Sequence, residues 1–182
     1  MSLGRLVRAL GHFRVVTMDQ RYSGQSGDSQ PYRWDDLVDD VECVVDELGL
    51  EDIVVAGHSW GGMIAAHYGV RHPEARAVVN LDGHGPGDAA LYDGIDPSEV
   101  RALSARLEDP PPWLGAEGDA AWKVEQLARV RAENAAGGVP EHLADEFAER
   151  SFVALSDGRW QLRPTRTMYE GLTGDLKLLD VY

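Results

Sequence analysis

Apolar positions change their spacing along the chain, and each spacing predicts an element. Leu37, Val38, Val41, Val44, Val45 and Leu48 recur at helical intervals, which predicts an amphipathic helix stopping near Gly49. Asp52-Ile53-Val54-Val55-Ala56 reads as a short apolar strand, and Met63-Ile64-Ala65-Ala66-His67-Tyr68 as a helix behind it. That helix is expected to end near His72-Pro73, because the residue before a proline avoids helical angles. Ala77-Val78-Val79-Asn80-Leu81-Asp82 reads as a second apolar strand. Upstream, residues 3–10 read as the tail of a helix. Phe13, Val15, Val16 and Met18 then lie in a β-forming run that predicts a buried strand from His12 to Asp19. A Gly/Ser/Asp loop from Gln20 to Gln30 follows. Strands alternating with helices predict a parallel α/β sheet.

The pattern changes after Gly83-His84-Gly85-Pro86-Gly87. Residues 88–165 are rich in Ala, Glu, Arg and Pro, with helical patterns over 97–108, 119–134 and 141–150 and no strong strand. Asp109-Pro110-Pro111-Pro112 and Gly137-Gly138-Val139-Pro140 separate the three. This segment reads as a helical insertion. Internal repeats and low-complexity tracts are absent from the sequence.

Composition narrows the class. The chain has 182 residues with 43% hydrophobic, enough for one domain with a real core. A net charge of -14 argues against nucleic acid and anionic membranes as partners. Cys43 is the one cysteine, so an internal disulfide is impossible, and a free thiol fits a reducing cytoplasm. Among Val41, Val44 and Val45 it reads as a small packing residue. No apolar stretch is long enough to span a bilayer, and Met1 to Arg8 lack the apolar run of a signal peptide.

Candidate chemistry centres on Gly57-His58-Ser59-Trp60-Gly61-Gly62, between the strand at 52–56 and the helix from 63. Strand, sharp turn and helix with a serine at the apex form the G-x-S-x-G pattern in its required context. Gly57 and Gly61 are expected to let strand and helix approach closely around a strained serine. The helix aims its N-terminal N–H groups at the same spot, which favours developing negative charge. A serine there could instead merely cap the helix, but capping does not explain the flanking glycines.

Three segments in order resemble the α/β-hydrolase fold superfamily. Phe13-Arg14-Val15-Val16-Thr17-Met18-Asp19-Gln20-Arg21-Tyr22-Ser23-Gly24-Gln25-Ser26 is similar to the family's strand ending in Asp-x-Arg-Gly and then Gly-x-Ser, with Tyr22-Ser23 displacing the usual glycine. The second segment is the elbow, and the third is the strand ending at Leu81-Asp82-Gly83 before a helical cap. The resemblance implies an α/β fold: an incomplete α/β-hydrolase sheet of parallel strands with flanking helices, plus a helical cap. Residues 1–87 would be a partial core carrying the elbow, 88–165 a cap or lid, and 166–182 a return helix toward the missing C-terminal core. It implies Ser59 as nucleophile and the Trp60 backbone N–H as half of the oxyanion hole, with Gly57 and Gly61 shaping the elbow. Dehalogenases and epoxide hydrolases of the family use an aspartate where Ser59 stands. The expected reaction is therefore hydrolysis of an ester, amide or C–C bond in a small-molecule substrate.

The family's other oxyanion donor lies on a loop preceding the segment matched by residues 3–10, and its triad order is serine, acid, histidine. The chain is therefore expected to be the central portion of such an enzyme, marginally stable alone and with little or no turnover. The alternative is a non-catalytic binding fragment. Asp82 is a candidate acid, since some family members carry the acid there, although Asp82-Gly83 reads first as a turn-forming pair. His84 follows in a glycine-rich loop where the family does not place its base. His58 adjoins Ser59 but should point elsewhere, and His67 lies two turns down the helix. His12, His72 and His142 read as solvated. Asp19 and Arg21 read as organisers of their loop. Trp60, Trp113, Trp122, Trp160 and Tyr68 read as core and cap packing before pocket lining. No metal constellation or phosphate loop is present in the sequence, and no cofactor is expected.

Overall fold

A computed structural model describes residues 9–21, 23–24, 26–81, 83, 96, 98, 105, 111–138, 140, 145 and 148–176. The described residues fall into two compact units, one within Gln30–Pro111 and Thr167–Tyr182, the other within Met1–Ser29 and Pro112–Arg166.

The first unit carries the elbow. Helix α1 (Trp34–Glu47) follows the predicted spacing and buries Trp34, Leu37 and Val38. Asp36 in its first turn accepts from the Arg33 backbone N–H at 3.2 Å and from Arg33 Nε at 2.9 Å, tying the entering chain to the helix. The helix stops where expected. Leu50 N–H donates to Val45 O at 3.0 Å and Gly49 N–H to Asp46 O at 3.1 Å, while Gly49 takes φ 55°, a Schellman ending that favours glycine. Strand β1 (Val54–His58) and helix α2 (Trp60–Arg71) flank Ser59, and strand β2 (Ala77–Leu81) pairs parallel to β1 with Val54 opposite Ala77 and His58 opposite Leu81. The structure thus has the expected parallel strand–helix–strand arrangement with flanking helices.

Two-residue alternation divides this sheet into two faces. Gly57, Val78 and Asn80 face α2: a Cβ built on Gly57 would overlap the Gly61 carbonyl, one on Gly62 would overlap Asn80 Oδ1, and one on Gly69 the Val78 methyl. Gly61 itself would meet nothing with a Cβ, so the glycines that admit the helix are Gly57 and Gly62 rather than Gly57 and Gly61. Gly61 contributes its carbonyl to the crowding, which a side chain there would not alter. On the other face Val54, Val79 and Leu81 are exposed.

A charged clasp joins α1 to the end of α2. Arg71 meets Asp39 at 2.8 Å and Glu42 at 2.9 Å, and His72 bonds Glu42 through Nε2 at 2.6 Å and Glu74 through Nδ1 at 2.9 Å. Tyr68 stacks on the His72 ring at 4.3 Å. His72 is therefore half-buried between carboxylates rather than solvated, because the helix that ends at Arg71 delivers it beside Glu42. Its hydrogen bonds to Glu42 and then to Glu74 push its pKa up. Burial, followed by the charges of Glu74, Glu42 and Asp46, raises that of Tyr68. Cys43 is exposed on α1, because the helix turns Leu37 and Val38 inward and leaves position 43 outward.

Helix α4 (Arg166–Leu176) completes the unit from far along the chain. Trp34 Nε1 donates to Leu172 O at 3.0 Å, and both side chains are fully buried.

The second unit holds strands where none was expected. β3 (Glu117–Gly118), β4 (Phe152–Ala154) and β5 (Trp160–Leu162) form an antiparallel sheet in the order β3-β5-β4. Strands of two and three residues are too short to show a period. The β4–β5 turn closes through Leu155 N–H to Arg159 O at 2.8 Å, with Gly158 at φ 85°. Asp157-Gly158 is the hairpin signal that the sequence carried. Helix α3 (Ala120–Ala136) matches its predicted span; Asp119 caps it by accepting from Trp122 N–H at 2.8 Å. Leu127, Ala148, Phe152 and Leu162 form the core here, with Trp122, Val130 and Trp160 packed around it. Lys123 lies over the Trp160 ring at 3.6 Å. Trp122, Trp160 and Tyr68 thus pack as expected, whereas Trp113 is exposed.

Residues 14–20 are not assigned to a strand, and Phe13, Val15 and Val16 are exposed, unlike the buried strand predicted from His12 to Asp19. β-propensity alone does not make a strand; it needs a ladder partner, and none pairs with this segment among the described residues. The helical readings over 3–10 and 97–108 fall almost wholly outside the described residues, and 141–150 in part. Among the described residues no helix is long and apolar enough to cross a membrane.

Two predictions follow from this packing. Gly57→Ala should lower the unfolding free energy by about 1–3 kcal/mol, the usual cost of overpacking, whereas Gly61→Ala should leave it unchanged or slightly raised; paired denaturant titrations measure both. His72→Gln should cost stability in a pH-dependent way. The raised His72 pKa gives a contribution complete below about 6.5 and lost as pH rises through the folded value. Glu74 is held below its usual range by its own backbone N–H and then by His72, so its contribution is complete above about 4.3 and lost as pH falls through its folded value. The difference in Tm between wild type and variant should therefore be greatest between these limits, and a difference that grows with rising pH contradicts the clasp.

Candidate active site

Ser59 sits between the last residue of β1 and the first of α2 with φ 54° and ψ -122°, a conformation that L-residues rarely adopt. Three backbone hydrogen bonds hold it there. Its N–H donates to Leu81 O at 2.9 Å, extending the parallel ladder by one step. Its carbonyl accepts from Gly62 N–H at 2.8 Å and Met63 N–H at 3.2 Å, starting the helix. The positive φ turns the side chain out of the ladder, and Ser59 is exposed. Its hydroxyl makes no cap hydrogen bond to α2, so capping does not occupy it.

Trp60 is the first residue of α2, and an N–H at that position has no intrahelical acceptor. It belongs to the helix N-terminus, whose dipole favours negative charge beside Ser59. The Trp60 ring packs edge-on to Trp34 with centroids 6.2 Å apart and against Tyr169 at 5.7 Å.

The turn after β2 is fastened beside this point by a residue that sequence reasoning passed over. Asn80 donates through Nδ2 to Gly83 O at 2.7 Å and accepts the Gly83 N–H on Oδ1 at 2.7 Å. Gly83 is buried, and a Cβ on it would crowd the Ser59 carbonyl and the Gly62 backbone. The signal was a lone amide inside the apolar run Val78-Val79-Asn80-Leu81. Gly62 was likewise passed over, and Trp34 was not singled out although it is fully buried.

Other candidates separate from the elbow. Asp82, His84 and His142 lie outside the described residues. His58 falls on the sheet face opposite Gly57, as alternation requires. His67 reaches Asp35 at 3.4 Å through Nε2, down α2 from Ser59. His12 is exposed and lies against Phe13. In the second unit Asp19 does organise its loop: Arg150 Nη2 donates to both its carboxylate oxygens at 2.7 Å, and Ser26 Oγ donates to its carbonyl at 2.6 Å. Arg21 reaches the Ser29 carbonyl at 3.5 Å. Among the described residues no cluster of His, Cys, Asp or Glu has the makings of a metal site.

Comparison with known proteins agrees with this geometry. The family model of the alpha/beta hydrolase fold matches residues 2–135. Epoxide hydrolase 4 of Mus musculus is 40% identical over 65 residues, 34% of this chain and 18% of that protein. Lipase LipV of Mycobacterium tuberculosis is 29% identical over 163 residues, 87% of this chain and 55% of the lipase. The crystal structure of E-2-(acetamidomethylene)succinate hydrolase superposes with a TM-score of 0.60 at 21% identity, covering 90% of this chain and 55% of that one, a likeness of fold. The chain thus spans little more than half of the longest of these matches. With its family model, its solved neighbour and a serine elbow between parallel strands in agreement, the chain belongs to the alpha/beta hydrolase fold family.

Proposed function

We propose that the chain is a serine hydrolase whose nucleophile is Ser59, acting on an ester, amide or C–C bond of a small molecule. One observation carries the reading. The Ser59 backbone is held at φ 54° with its hydroxyl exposed and not used for capping. Strain of this kind persists only where the surroundings over-determine it, and it clusters at functional sites. In the reaction, Ser59 Oγ forms a bond to the acyl carbon and the carbonyl electrons move onto oxygen beside the Trp60 N–H. The leaving group departs with the serine proton, and water then cleaves the acyl-enzyme to acid and free serine. Residues 88–165 take the place of the cap in this reading, and the chain works in the cytoplasm without a cofactor.

The serine also separates this chemistry from that of the epoxide hydrolase relative. Epoxide opening in this family is expected to use an aspartate at this position, and a hydroxyl cannot deliver the same ester intermediate. The lipase, similar over most of the chain, fits an acyl substrate better.

Turnover by this chain is expected to be slow. Among the described residues none hydrogen-bonds Ser59 Oγ, and Ser59 needs a base to be a strong nucleophile. Asp82 is kept as a candidate acid in this reading, since Asn80 anchors its neighbour Gly83 beside the elbow.

A fluorophosphonate probe tests the assignment. Attack by Ser59 Oγ forms an O–P bond and releases fluoride, leaving a mass adduct on the peptide that contains Ser59. Labelling that Ser59→Ala abolishes is the expected result, with hydrolysis of an activated aryl ester at least tenfold below the enzyme median of about 10 per second. An unlabelled but folded wild-type protein favours the binding-fragment reading instead.

A further inference from the structure

The elbow residue Trp60 is gripped from outside its own strand–helix unit. Its ring meets Trp34 edge-on at 6.2 Å and Tyr169 at 5.7 Å. Trp34 is wholly buried at the start of α1, and its indole N–H is tied to Leu172 O at 3.0 Å, one helical turn from Tyr169 on α4. Gly171 brings α4 against the chain entering α1, since a Cβ there would press on Tyr32 O and Cβ. The helix that carries Tyr169 is thus fixed at Gly171 and Leu172 in its own middle, and Trp60 packs against two rings that are themselves anchored. Met168 and Leu172 are buried beside Tyr169, so α4 has little room to roll.

A tryptophan ring held by two anchored rings fixes more than its own position. Its Cα carries the N–H offered to the substrate oxygen, and the peptide bond before it belongs to Ser59. Rotation of that peptide moves the N–H and the Ser59 ψ together. We propose that Trp34 and Tyr169 are positioning residues for the reaction: with Trp60 they form an aromatic clamp that aims the Trp60 N–H at the oxyanion. This rests on the Ser59 hydrolase reading, but its structural half, the immobilisation of the 59–60 peptide, does not.

The test compares Tyr169→Leu, which removes the ring, with Tyr169→Phe, which keeps it. Tyr169→Met serves if the leucine variant does not fold. Saturation kinetics of fluorophosphonate labelling separate probe binding from the bond-forming step. Tyr169→Leu should slow the bond-forming step about tenfold, the rate equivalent of one aromatic pair, with probe binding and far-UV circular dichroism unchanged, and Tyr169→Phe should restore it. A residue that only stabilises the fold would shift Tm and leave that step alone, so wild-type labelling by folded Tyr169→Leu overturns the clamp. Should wild-type protein not label at all, the hydrolase reading fails by itself, and the Trp60 amide order parameter decides the clamp. A value near the rigid level of about 0.85 that drops in Tyr169→Leu and returns in Tyr169→Phe supports it, and an unchanged value overturns it.

Discussion

The backbone of Ser59 is the constraint on which the rest of the first unit depends. A non-glycine residue in that region costs on the order of 1–3 kcal/mol. Its three hydrogen bonds, to Leu81 O and from Gly62 and Met63, contribute about 0.5–1.5 kcal/mol each. The two effects are of similar size, so the conformation persists only while all the neighbours stay in place. Leu81 must be in register on β2, which requires the parallel pairing with β1. Gly62 and Met63 must lie under the carbonyl, which requires α2 to approach as closely as bare Gly57 allows. A serine made this reachable is held by strand, helix and turn at once.

Much of this was legible in the sequence because it is local. The apolar spacing of Leu37 to Leu48 gave α1 and its glycine stop. The hexapeptide at 57–62 gave the elbow, and Asp19 was read correctly as an organiser of its loop. Features that were not legible depend on contacts across the chain. Gly61 matches the motif, yet Gly62 is the glycine that meets Asn80, and only the register of β2 reveals it. His72 looked solvated until α1 placed Glu42 beside it. The run at 13–18 has the composition of a strand, but no local pattern reports whether a partner is present. Strands β3 to β5 carry two or three residues each, below the length at which alternation can be counted.

Where the core lies explains how the elbow is supported. The exposed face of the β1–β2 sheet carries Val54, Val79 and Leu81 and supplies little packing, and two strands alone are marginal in water. Trp34, Leu37, Val38, Met63, Ile64, Tyr68, Met168 and Leu172 are buried on α1, α2 or α4, and buried Tyr32 lies in the chain entering α1. The hydrophobic stabilisation of this unit is therefore on the helical side. A disturbance there reaches the turn through α2, whose first residue is Trp60.

That placement separates two roles that a motif search merges. Gly57, Gly62, Asn80 and Gly83 set the shape of the turn by steric and polar contacts with the sheet, and changes there should be felt as stability. Trp34 and Tyr169 meet the turn through the Trp60 ring. Removing the Tyr169 ring takes away dispersion contacts at a half-buried residue and leaves every backbone hydrogen bond of Ser59 in place. Its effect should fall on how sharply the 59–60 peptide is aimed, a quantity that matters when charge develops on a substrate oxygen and hardly at all to folding. The elbow sequence specifies the turn; the aim of its N–H is specified from residues 34 and 169, which lie outside any window a motif would scan.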